Sequence, residues 1–141
     1  MAHSFEKNSI TGETAQRMIQ AAERKANEIG QPMVIAVVDE SGVLKALLRM
    51  DRAPLLSIQV AQDKAYTAAG FGLPTDQWHE FIKNDPPLAA GAPSGIDRLV
   101  VFGGGYTIKV ADRVIGGIGV SGGHYSQDME VAKVALAVVD S

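Results

Sequence analysis

Cysteine is absent from the 141-residue chain. That excludes disulfides, thiolate metal sites, iron–sulfur clusters and covalent c-type haem attachment, and it leaves the redox compartment open. A formal net charge of −3 provides no broad basic field, which argues against a nucleic-acid partner. No uninterrupted apolar run approaches the roughly 20 residues of a membrane span. The opening MAHSFEKNSI also lacks the basic and apolar segments of a signal peptide. A soluble, cytoplasmic protein without a membrane partner is therefore expected. The phosphate motifs are missing too. There is no Gly-Lys-Ser/Thr tripeptide for a Walker loop, and Gly103-Gly104-Gly105 leads into a further strand-like run rather than a helix, which argues against a dinucleotide fingerprint.

What is present is an ordinary globular composition, 46% hydrophobic and 21% charged, in a length that suits one domain over 1–141 with one substantial core. Thr11 and Gly30 bracket a first helix, whose Ala15, Met18, Ile19, Ala22, Ala26 and Ile29 form one apolar stripe. MVIAVVD (33–39) and VLKALLRM (43–50), joined through Ser41-Gly42, read as a hairpin with a doubly covered first strand. Arg49, Asp51 and Arg52 cluster where the second strand should end. Pro54 suits the first turn of a helix over roughly 54–70, with Leu56, Val60, Lys64 and Thr67 on one side and small alanine contacts beside them. A short helix carries Trp78, Phe81 and Ile82, and 84–97 reads as a proline- and glycine-rich loop able to act as a lid or partner contact. RLVVF (98–102), YTIKVA (106–111) and VIGGIGV (114–120) read as three more strands, with Asp112-Arg113 as a tight turn. A helix from about Ser126 closes the chain. This order gives helices packed around a mainly antiparallel sheet of about five strands.

Eight of the 15 glycines lie between Gly103 and Gly123. Gly116, Gly117 and Gly119, inside a strand, are most simply close-packing positions. Gly103, Gly104 and Gly105, and Ser121-Gly122-Gly123, sit at strand ends. There, successive amides can form an anion-binding nest, and the second cluster leads into a helix N-terminus. With Arg49 and Lys64 available, the two clusters suggest a pocket for a carboxylate or similar small anion.

The ordered set PMVIAVVDESGVLKALLRMDRA (32–53), DKAYTAAGF (63–71), GGG (103–105) and VIGGIGVSGG (114–123) followed by Asp128 resembles the GlcG/HbpS-like family. That family includes the C-terminal domain of PduO-type corrinoid adenosyltransferases. The resemblance spans the first helix to the last. It implies an α+β, profilin-like fold, a five-stranded antiparallel sheet sandwiched between helices, assembled into homo-oligomers. It implies less about function: some relatives bind haem and assist its degradation, which makes haem or another tetrapyrrole one expected ligand, and others are encoded among glycolate or diol catabolism genes. One departure is visible: Tyr106-Thr107-Ile108 stands where the family usually has Val-Pro-Ile, in a segment that shapes the pocket.

Haem needs an axial ligand, most often histidine. His3 lies in a tail, His79 follows Trp78 on a short helix, where a solvated face is the simpler reading and a ligand the alternative, and His124 sits at the edge of the proposed pocket. Tyr125 and Tyr106 are alternative ligands or hydrogen-bond donors. Arg49 and Lys64 need partners, either internal carboxylates such as Asp39, Asp51 or Asp63, or a bound carboxylate. Whether the chain is an enzyme stays open. As a binding protein, it would meet the carboxylates of a tetrapyrrole with Arg49, Lys64 and the glycine amides, Asp51 and Asp128 positioning them. As a metal-independent enzyme of small-carboxylate catabolism, it would move a proton through Lys64 or His124. His79, Glu80 and Asp85 do not make a metal set.

Overall fold

The computed structural model describes residues 1–140. The first helix, α1 (Gly12–Ile29), begins and ends where its caps predict. The Thr11 hydroxyl accepts the Thr14 amide at 3.1 Å, and Gly30 closes the helix at φ 73°. Strands β1 (Val34–Asp39) and β2 (Leu44–Arg49) form the expected hairpin. The Asp39 carboxylate holds its turn by accepting the amides of Ser41 and Val43 at 2.8 and 3.1 Å.

Helix α2 (Ser57–Phe71) starts three residues after Pro54, which instead opens the turn leading into it. The buried residues of α2 are Ser57, Ala61, Lys64, Ala65, Thr67, Ala68 and Ala69. Lys64 and Thr67 of the expected side are thus buried, whereas Leu56 is exposed, and the alanines lie where the β4 backbone comes close. Helices α3 (Thr75–Ile82) and α4 (Pro86–Gly95) follow. The second replaces the loop expected at 84–97. The Asp85 carboxylate caps it by accepting the Leu88 amide, and prolines occupy its first turn, where a missing amide hydrogen costs nothing.

Strands β3 (Gly105–Val110) and β4 (Arg113–Ser121) turn through Ala111 and Asp112, at φ 52° and 64°. Two left-handed residues suit the twist of a two-residue hairpin. Helix α5 (Tyr125–Leu136) closes the fold. The sheet is antiparallel with strand order β2-β1-β4-β3. It has four strands among the described residues, not five. The apolar run 98–102 is no strand because its backbone bonds elsewhere. Thr67 donates its hydroxyl to the Arg98 carbonyl at 3.0 Å and accepts the Val100 amide at 3.1 Å. Arg98 itself sits at φ 64° with its guanidinium on Asp63. Side chains of α2 thus take the groups that a fifth strand would have offered to a neighbour.

One face of the sheet packs Ile35, Val37, Ile108, Ile118 and Val120 against Met18 and Ala22 of α1 and Val131 and Ala135 of α5. The other packs Val34, Ala36 and Val38 against Ala61, Ala65 and Ala69 of α2. Gly117 and Gly119 are packing positions, as expected: a Cβ on either would run into the α2 backbone at the Ala65 or Ala61 carbonyl. Among the described residues no helix is long and apolar enough to cross a membrane.

Candidate functional site

Lys64 lies two turns into α2 on its buried face and is fully buried. Its Nζ donates to the Val120 carbonyl at 2.8 Å and to Asp128 Oδ2 at 2.9 Å, and it lies 5.2 Å from the centre of the Phe102 ring. The partner is Asp128, in the first turn of α5, not Asp39, Asp51 or Asp63. Asp39 is used in the hairpin turn and Asp63 on Arg98. The other Asp128 oxygen accepts the Gly123 amide at 3.0 Å. Burial pushes the Lys64 amine below its usual range, opposed by the Asp128 charge, and pushes the Asp128 carboxyl up, opposed by Lys64.

The triple glycine closes over this pair. Gly104 sits at φ 126°, and a Cβ there would stand 2.6 Å from Lys64 Nζ and 2.7 Å from the Val120 carbonyl oxygen. A Cβ on Gly105 would meet the Lys64 carbonyl oxygen at 2.6 Å. The Gly105 amide donates to the Thr75 hydroxyl at 2.9 Å, and Gln31 Nε2 reaches the Gly122 carbonyl at 2.9 Å. Ser121 is buried, its hydroxyl bonded to that of Ser57 at 3.1 Å. The two strand-end glycine clusters therefore do converge with Lys64 and Asp128, but several of their polar groups already have internal partners.

Arg49 and Asp51 are elsewhere. With Arg52, they line an open cavity of about 640 Å³ between the end of α1 and the end of β2, together with Gln31 and Pro32. Val34 lies between Arg49 and Ser121 in the sheet register, so two strand spacings, roughly 10 Å, separate them. His124 is exposed and caps α5. Its Nδ1 accepts the Ser126 amide at 3.2 Å, and its own amide donates to Gln127 Oε1 at 3.0 Å. Tyr106 is buried on the sheet face covered by α1 and α5. Its hydroxyl has no partner, and burial, then the nearby Asp76 charge, pushes its pKa up to about 12.

A third set of residues, mostly not chosen from sequence, frames a cleft of about 360 Å³ on one flank of α3. Val101, Phe102 and Gly103 form one wall, Asp76 and His79 of α3 the second, and Tyr125 and Met129 of α5 the third. Asp76 Oδ1 is buried without a partner, and the His124 ring stacks on Tyr125 with centroids 4.1 Å apart. Sequence offers Gly103, His79 and Tyr125 only singly, and the three-residue spacing of Asp76 and His79 puts both on one side of α3. Nothing local could pair them with Met129 or Phe102.

The four-stranded antiparallel sheet clasped by helices defines an α+β fold of the type crystallised for Klebsiella pneumoniae ORFY. The two superpose with a TM-score of 0.90 at 34% identity, over 100% of this chain and 97% of that one. The chain belongs to the family described as haem degrading protein HbpS-like, whose sequence model matches residues 10–137. It is 38% identical over 128 residues to an uncharacterized 15.0 kDa protein of the Citrobacter freundii dhaT-dhaS intergenic region, covering 91% of this chain and 90% of that protein. It is also similar to PduOC, crystallised as a haem complex, with a TM-score of 0.85 and 31% identity over 92% and 94% of the two chains.

Proposed function

We propose that this protein binds haem or a related tetrapyrrole in the cleft beside α3, with His79 as the axial ligand. The observation that carries this reading is the convergence of three side chains able to bind haem iron, His79, Tyr125 and Met129, on one cleft walled by Val101 and Phe102. The donor set and the apolar wall fit the group, and the haem complex of PduOC supports the same ligand class. The fit differs from the carboxylate clamp expected from sequence. Lys64 is sealed beneath Phe102 and Gly104 and bonded to Asp128, so the ring and the iron, rather than the propionates, would supply most of the recognition. A bound haem would contribute iron coordination and redox chemistry; this chain would contribute the ligand, the apolar wall and the orientation.

Titration of the purified protein with hemin should give a saturable Soret shift. His79→Ala should weaken binding at least about tenfold, whereas His124→Ala should leave it near the wild-type value. The absence of a Soret shift, or equal binding by His79→Ala, would remove the assignment.

Assembly into homo-oligomers is part of the same proposal. Leu44 and Leu47 on edge strand β2, with Leu55 and Leu56 just beyond it, are exposed, and an apolar sheet edge is a ready pairing surface. Sedimentation at micromolar concentration should give a species larger than the 14.9 kDa chain; a monomer would contradict it.

A further inference from the structure

The cavity of about 640 Å³ between the end of α1 and the end of β2 shares no residue with the cleft beside α3. We propose that it binds a small zwitterion whose ammonium and carboxylate are separated by an aliphatic stem.

Four charged side chains line it: Glu23 of α1, Arg49 at the last position of β2, and Asp51 and Arg52 in the turn beyond. None of the four makes a side-chain hydrogen bond or an ion pair among the described residues. Charges of opposite sign thus border one space without meeting across it. A plain anion would be drawn to the arginines but repelled by Glu23 and Asp51, and a plain cation would meet the reverse. A molecule carrying both signs suits all four.

The poles lie on different walls. The α1 wall holds Glu23 and, at Gly30, the carbonyl end of the helix, whose last turn has no basic residue. The partial negative charge of that end favours a cation, and an ammonium brings three donors to carboxylate and carbonyl oxygens. The other wall holds both arginines, which stay protonated and can take a carboxylate through two parallel bonds. Pro32 and Leu48 also line the cavity and offer apolar surface to a methylene stem. The volume falls within the roughly 300–1,000 Å³ of small-molecule sites.

Arg52 points the same way on separate grounds. Its φ of 72° is left-handed, a region that residues with a Cβ occupy at a cost, and strained positions cluster at functional sites. Glycine would hold the same backbone without strain, so the turn gives no reason for an arginine there.

Titrating the ¹⁵N-labelled full chain with 6-aminohexanoate should shift the amides of Gly30, Gln31 and Arg52 saturably. Hexanoate and hexylamine, each lacking one pole, should bind at least about fivefold more weakly. Glu23→Gln should lose about fivefold for 6-aminohexanoate yet bind hexanoate more tightly than wild type does, because one repelling carboxylate is gone. Arg52→Gly should unfold no earlier than wild type on heating, since it relieves the left-handed strain, while losing at least about fivefold in affinity. An arginine with a merely structural role would not give that pair of results. The proposal fails if 6-aminohexanoate gives no saturable shift, if either single-pole probe binds as well, or if folded Glu23→Gln and Arg52→Gly proteins bind unchanged. It fails equally if the same amides move with protein concentration but not with the probe, because a second copy would then occupy the cavity.

Discussion

Truncating Asp128 to alanine should destabilise the protein by about 3–5 kcal/mol, read as a lower urea midpoint with an unchanged slope. Lys64 is fully buried, and without Asp128 its charge would keep only the Val120 carbonyl and the Phe102 face. The Gly123 amide would lose its acceptor as well. The informative contrast is the joint replacement Lys64→Met with Asp128→Leu. It removes both charges and should recover most of the loss, since a buried pair gains little net stability over well-packed apolar groups. If the joint replacement were no more stable than Asp128→Ala alone, the unpaired charge would not be the source of the loss.

The same pair sets a pH dependence. The folded Lys64 amine lies below its ordinary value of 10.5, because of burial first, with Asp128 opposing. Between that lowered value and 10.5 the unfolded chain binds more protons than the folded one. Stability from this group therefore rises with pH across that window and is lost as pH falls through the folded value. Wild type should gain on the joint replacement as pH is raised toward 10.5. A difference that stays flat or shrinks over that range would contradict the assigned direction.

Gly119→Val is expected to be the other severe change, at about 3 kcal/mol or more. A Cβ at 119 would collide with the Ala61 carbonyl and stand 2.6 Å from the Ala65 amide nitrogen. These are backbone atoms of a helix, so no rotamer change relieves the contact. Either α2 moves off the sheet or β4 bends. Moving α2 would also disturb Lys64, which couples this packing defect to the buried ion pair. Gly70→Ala makes the natural control, because it adds a methyl in open space within the same helix and should stabilise by about 0.5–1 kcal/mol. Thermal unfolding of the two variants should move in opposite directions. A Gly119→Val protein as stable as wild type would show that α2 does not rest on the β4 backbone.

Features whose causes are local are legible in the residues themselves. Thr11 and Gly30 cap α1 through their own side chain and backbone freedom. The run 34–38 is buried on both faces, and β1 lies between two partners. The glycines of β4 mark a close approach of backbone to the sheet, which α2 makes at Ala61 and Ala65. The four ordered motifs were sufficient for the family.

Tertiary structure decided the rest, because the deciding partners are far away in the chain. Whether 98–102 becomes a strand depends on Thr67 and Asp63, which capture its backbone and its arginine. Which face of α2 is buried depends on β4 offering glycines rather than side chains. The partner of Lys64 stands 64 residues away, and Arg49 parts from it because β1 and β4 intervene in the sheet. The cleft holding His79 is built from three segments that meet only when α3 and α5 dock around residues 101–103. Periodicity and capping act over one or two turns of chain, whereas burial, pairing and cavity shape arise between elements and exist only after the elements have packed.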